Sequence, residues 1–147
     1  MIYLNRQVKV SIDDLLPIIK QGLKNNQDVE IKVIGNSMKP FLKDQESIVV
    51  LRKHDGELKK HHIYFYHIGD TYILHRYIRT KNSINYFRGD AMYRYEEVDN
   101  SNVLAEVIYS ISNEKKDKPY SFGNMIKLRL FLVYKTIKSV IRKIVRR

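Results

Sequence analysis

The chain has 147 residues, room for one ordinary domain and too few for two large ones. Twenty-seven Lys and Arg against sixteen Asp and Glu give a formal charge of +11, and 44% hydrophobic with 11% aromatic residues are enough for a core, which argues against global disorder. There is no cysteine, and this excludes a disulfide framework, a thiolate metal site and a cysteine nucleophile.

The N-terminus carries no apolar run of signal-peptide length and no small-residue cleavage site. No stretch approaches the ~20 apolar residues of a spanning helix; the longest apolar run near the C-terminus is Leu130 to Tyr134. In chain order, residues 11 to 25 read as a helix, with Ile12, Leu15, Leu16, Ile19 and Leu23 on one face and Ser11 or Asp13 as its cap. Pro17 is awkward in a helix that begins at Ile12. Short β-type runs follow at Val29–Ile34, Ser47–Leu51, Ile63–His67, Tyr72–Ile78, Ile84–Arg88 and Val103–Ser110, with Gly35, Gly56, Gly69 and Gly89 between them or at their ends. This pattern predicts a mostly β domain over residues 1–112 with a helix at its start. A polar linker is expected over 113–120 and a basic helix over 121–147.

The run Val29–Ile34 ends in Gly35-Asn36-Ser37-Met38-Lys39-Pro40-Phe41-Leu42. A serine after a strand and a glycine sits on a tight turn, and alone it reads as a turn residue or a helix cap. His75 alternates with Ile73 and Tyr77, which alone reads as a packed core histidine, and Asp90 after Gly89 reads as a turn residue.

Together the three segments resemble the boxes of the signal peptidase and phage-repressor superfamily of serine peptidases. Gly35-Asn36-Ser37-Met38-Lys39-Pro40-Phe41-Leu42 resembles its nucleophile box. Ile73-Leu74-His75-Arg76-Tyr77-Ile78, 38 residues after Ser37, resembles the strand that carries the general base. Arg88-Gly89-Asp90, followed by Glu96, Glu97 and Asp99, resembles the third, Gly-Asp box. With histidine rather than lysine at the base position, the chain is similar to the Ser-His branch, that of endoplasmic-reticulum-type signal peptidases. The resemblance implies a signal-peptidase-like β fold, Ser37 as nucleophile and His75 as base. It also implies a carboxylate on the far imidazole nitrogen, Asp90 as first choice and Glu96 as second. A neutral imidazole near pKa ~6.5 suits this work at neutral pH. The Ser37 N–H, aided by the Asn36 side chain, is the expected oxyanion donor.

The sequence departs from the family pattern at turns. Gly35 stands where many signal peptidases have a second serine, Gln45-Glu46 replaces one Gly-Asp pair and His61-His62 another. These departures leave a second reading, a catalytically inactive module that binds peptide or membrane. Self-cleavage ranks last, because no DNA-binding domain and no exposed Ala-Gly loop is visible. No cofactor is expected, since phosphate and dinucleotide motifs are missing. No metal is expected either: His61, His62 and His67 have no acidic residue among them and read as a solvated strand.

Residues 121–147 carry eight basic residues and no acidic one. Ile126, Leu130, Val133, Ile137, Val140, Ile141 and Ile144 form one stripe, with Lys135, Lys138, Arg142 and Arg146 on the other side. Such a helix fits the interface of an anionic membrane. Packing on the domain, a partner groove and nucleic acid are the alternatives, the last disfavoured by the modest charge of the β domain. The expected protein is therefore a peripheral membrane Ser-His endopeptidase at the cytoplasmic face that removes a leader or signal segment from a precursor.

Overall fold

The computed structural model describes residues 12–145. Helix α1 (Ile12–Lys24) is followed by β1 (Val29–Lys32), β2 (Ile48–Lys53), β3 (Ile63–Ile68), β4 (Thr71–Lys81), β5 (Ile84–Arg88), β6 (Glu96–Val98), β7 (Val103–Ser112) and β8 (Lys115–Asp117), and helix α2 (Phe122–Val145) ends the described chain. The mostly β architecture is the one the sequence predicts. The strands form one antiparallel sheet in the order β1-β2-β7-β3-β4-β5-β6, with β8 paired to β7.

Strand β3 lies in the middle and is buried on both faces. Ile63 and Phe65 join a core with Val49, Leu51, Ala105 and Val107, closed by Ile19 and Leu23 of α1. Tyr64 and Tyr66 point the other way, into a core with Tyr77, Phe87, Val98 and Val103. An antiparallel strand buried on both sides loses the polar–apolar alternation, which explains why Ile63-Tyr64-Phe65-Tyr66 is apolar throughout.

Four details differ from expectation. Pro17 does lie inside α1, where it forfeits one backbone bond; Asp13 sits within the first turn of α1 and Ser11 lies outside the described residues. The linker begins later than 113: Asn113 and Glu114, both at positive φ, make the two-residue turn between β7 and β8, so the hairpin consumes residues up to Asp117. Strand β6, a three-residue edge, was too short and too acidic to read as a strand. The two turns that depart from the family pattern take a left-handed backbone without glycine, with Gln45 at φ 57° and His61 at φ 71°.

Candidate active site

The nucleophile turn is built as a closed loop. Its neck is zipped by Val33 N–H to Ser47 O (2.8 Å) and Gln45 N–H to Val33 O (2.8 Å). Gly35, at φ 93°, turns the chain and gives its N–H to Asp44 Oδ1 at 2.8 Å. The side chains of Met38 and Leu42 are sunk in the core, and Met38 O accepts the N–H groups of both Phe41 and Leu42. Ser-Met-x-x-x-Leu is therefore a presentation device: two apolar anchors one helical turn apart pin the loop and leave Ser37 half-buried between them and solvent.

His75 and Arg76 are neighbours on β4, so their side chains leave opposite faces of the sheet. The register shows which carboxylate each one meets. Tyr77 pairs with Phe87 and Phe87 pairs with Glu96, so Glu96 shares the face of Tyr77 and, two residues earlier, of His75. The Glu96 carboxylate lies 2.8 Å from His75 Nδ1. Arg76 instead pairs with Arg88, and Asp90 continues that opposite face. The Arg76 guanidinium grips Asp90 with Nε–Oδ1 at 2.8 Å and Nη2–Oδ2 at 2.7 Å, both side chains buried, and also donates to His61 O. Asp90, the first choice from sequence, thus has both oxygens committed to Arg76, and Glu96 is the carboxylate on the imidazole.

Tyr66 is a site residue that the sequence reading missed. Its hydroxyl donates to the Glu96 carboxylate and lies 3.3 Å from His75 Nδ1. Burial, and then the bond to Glu96, push the Tyr66 phenol well above its ordinary pKa, so it remains a donor. With Tyr66 O–H and His75 Nδ1–H both directed at Glu96, the Nε2 lone pair is left for another partner. The signal was available in the pattern: Tyr64 pairs with His75, so Tyr66, two residues on, falls on the same face.

The turn Gly89–Met92 lies between the loop of Ser37 and the ring of His75. Met92 N–H closes it on Gly89 O, and Ala91 N–H reaches out to Ser37 O at 2.8 Å. Gly89 is packed so closely that a Cβ there would meet Ser37 O at 2.7 Å and His75 Nε2 at 2.9 Å. Ser37 and His75 thus flank one glycine, and both line a cavity of about 350 Å³ with Glu96. The cavity's other walls are mostly apolar, with Ile31, Val33 and Ile34 on one side and Phe65, Tyr72 and Leu74 on the other. Asn36 is exposed, and its backbone carbonyl accepts the Lys39 N–H. Among the described residues no acceptor takes the Ser37 N–H.

Outside this cavity the histidines are not a solvated strand. His62 meets Glu106 at 2.5 Å and stacks on Tyr120 at 3.9 Å, His61 is part-buried in the turn before β3, and His67 bonds Gly69 O. Among the described residues no group of three or more His, Cys, Asp or Glu is placed to hold a metal ion.

Helix α2 is docked on the domain along one face. Asn124 donates to Asp117 and to Lys118 O, Leu128 is buried, and Phe131 packs edge-on against Phe41 of the nucleophile loop at 6.1 Å. Lys135, expected to face a membrane, is instead buried on this docked side, where it donates to Asp90 O and Met92 O. Its position at i+4 and i+7 from Phe131 and Leu128 puts it on their face. Lys138, Arg142, Ile137 and Ile141 are exposed, and Arg146 lies outside the described residues. Among the described residues no helix is long and apolar enough to cross a membrane.

A model of the Peptidase S24-like family matches residues 4–108, from the N-terminal segment through most of β7. No curated protein and no solved structure matches the chain.

Proposed function

The chain belongs to the Peptidase S24-like family, and from that premise we propose that it is an active Ser-His-Glu endopeptidase. The observation that carries this reading is the convergence of Ser37 and His75 on one cavity, with Glu96 on the Nδ1 side of the imidazole. In the proposed reaction Ser37 Oγ attacks the peptide carbonyl carbon and its proton passes to His75 Nε2. Glu96, steadied by Tyr66, fixes the tautomer and balances the imidazolium. The Ser37 N–H meets the oxyanion. Collapse of the tetrahedral intermediate expels the amine, which takes the proton from His75, and a water deprotonated by the same nitrogen hydrolyses the acyl-serine.

The substrate is an extended peptide segment. Strand β1 is an edge of the sheet, and its continuation through Ile34 borders the cavity, so a strand can add there by backbone bonds while an apolar side chain fills the cavity. A leader or signal segment of a precursor peptide has this character. Incubation of the protein with a proteome-derived peptide library, followed by mass spectrometry of new termini, tests the reading. Cleavages with apolar residues beside the scissile bond should appear with wild type and vanish with Ser37→Ala. Identical termini from both proteins overturn it in favour of a module that binds peptide without cutting.

We also propose that α2 sets this site at an anionic membrane surface. Its outward stripe, from Ile126 through Leu130, Val133, Ile137 and Ile141 to Ile144, is turned away from the domain, with Leu130 66% and Ile144 68% exposed. Basic residues flank the stripe without an acidic one, the complement of an anionic leaflet. Sedimentation with phosphatidylglycerol vesicles, absent with phosphatidylcholine vesicles and lost in Ile137→Glu/Ile141→Glu, is the expected result; equal sedimentation of the double variant rejects the membrane role.

A further inference from the structure

A lysine in the middle of a basic amphipathic helix ordinarily points its ammonium at water, because burial of a charge without partners is costly. Lys135 does the opposite. Only 8% exposed, it ends at Asp90 O (3.0 Å) and Met92 O, with its ammonium 4.3 Å from the centroid of the Tyr93 ring. Desolvation, and then the nearby Arg88, lower its pKa, and Asp90 counteracts them in part.

Its two acceptors belong to the turn that holds the nucleophile. One side of Gly89–Met92 faces Ser37 through the Ala91 N–H, its Asp90 carboxylate is gripped by Arg76, and its outward carbonyls converge on Lys135. The one internal bond of the turn, Met92 N–H to Gly89 O, does not tie the turn to its surroundings. Lys135 adds a hold from α2 to the Ala91 bond and the Arg76 grip on Asp90, while Phe131 of the same helix rests on Phe41 in the loop of Ser37. One helix thus braces both partners of the Ser37–Ala91 contact.

We propose that Lys135 is a positioning residue of the active site, which holds the turn Gly89–Met92, and through Ala91 the Ser37 backbone, in register with His75. The basic helix expected beyond a polar linker is then part of the site's scaffold, and a surface that binds its outward stripe acts on an element directly linked to the nucleophile. The kinetic part of this inference rests on Ser37 as the nucleophile; the structural part does not.

Two measurements keep those parts distinct. The first is the rate at which a fluorophosphonate probe labels Ser37 across pH, and the second is amide hydrogen exchange at Ala91 by NMR. In Lys135→Met and Lys135→Gln, labelling should slow about tenfold with its pH midpoint unchanged, because His75 and Glu96 keep their contact. Exchange at Ala91 should rise about tenfold while amides of β3 and β7 keep wild-type protection. Lys135→Arg, which can donate to both carbonyls, should restore both values to within about threefold. Lys135→Gln and Lys135→Arg carry the test if the methionine variant fails to fold. Wild-type exchange at Ala91 in the glutamine variant overturns the proposal, whatever the labelling shows. If wild type is not labelled at all, the peptidase reading falls, and exchange at Ala91 still decides whether Lys135 holds the turn.

Discussion

Two acid–base pairs hang from adjacent residues of one strand, and they do different work. His75–Glu96 and Arg76–Asp90 both join a cationic or basic nitrogen to a carboxylate at 2.7–2.8 Å. The side chains of Arg76 and Asp90 are 1% and 3% exposed, whereas Glu96 keeps 30% and His75 lines an open cavity. Strand alternation separates the two pairs by the thickness of the sheet. The sealed pair holds the turn that carries Asp90 and Ala91, and the other is the pair proposed as base and orienting carboxylate. Burial of the carboxylate, rather than the choice of residue types, separates the pair that holds the turn from the pair proposed to react.

The sharpest way to break this contrast is to neutralise each acid in turn. Glu96→Gln should lower the rate of peptide cleavage by about 10²–10⁴-fold, because the imidazolium loses its counter-charge and its tautomer is no longer fixed. Its thermal midpoint should stay near wild type, since a partly exposed pair contributes little to stability. Asp90→Asn should do the reverse in denaturant titration, losing about 3–5 kcal/mol by leaving the Arg76 guanidinium buried beside a neutral amide. If Glu96→Gln unfolds the protein while Asp90→Asn only slows cleavage, the roles assigned to the two faces are exchanged.

A second test asks how much of the sealed pair's effect comes from the charge left behind. Arg76→Met should destabilise as strongly as Asp90→Asn. Arg76→Met/Asp90→Leu should recover most of that loss in stability, because no buried charge remains. It should not recover full activity, because the Arg76 bond to His61 O and the fixed position of the Asp90 turn are both gone. Full recovery of both would reduce the pair to packing.

Much of this division is legible in the sequence. The spacing of apolar residues predicts six of the strands and both helices, and the three boxes point to Ser37 and His75, which the fold brings to one cavity. The resemblance puts Asp90 ahead of Glu96, and the fold reverses that order, with Asp90 on Arg76 and Glu96 on His75. On an antiparallel sheet, parity decides: residues paired as Tyr77 with Phe87 and Phe87 with Glu96 share a face, and Arg76 with Arg88 share the other. That register depends on the short hairpin after Lys81, where Asn82 and Ser83 both take positive φ, and on a bulge between Tyr77 and Arg79. Sequence periodicity alone fixes neither. The burial of Lys135 was illegible for a different reason. The helical stripe opposite it is apolar but faces outward, and the face that docks carries Asn124, Leu128, Phe131 and Lys135, where the carbonyls of Asp90 and Met92 and the Tyr93 ring receive the ammonium.

The smallest effect concerns a third pair, intermediate in exposure, which places the first two on one scale. Glu106 is 11% exposed and meets His62, itself 16% exposed, with Lys59 also near. Burial alone would raise the pKa of Glu106, but the hydrogen bond from His62, the His62 charge and the Lys59 charge together hold it below the ordinary value of 4.5. A folded pKa below the unfolded one means that the native state binds fewer protons, so this contribution to stability is complete above the unfolded value and is lost as pH falls through the folded one. Denaturation midpoints measured from about pH 6 down to about pH 3 should therefore decline less steeply in Glu106→Gln than in wild type, with the two curves closest at the acid end. Parallel curves would mean that His62 and Lys59 do not stabilise the Glu106 carboxylate, and that a pair must be sealed as completely as Arg76–Asp90 before its charges bear on the fold.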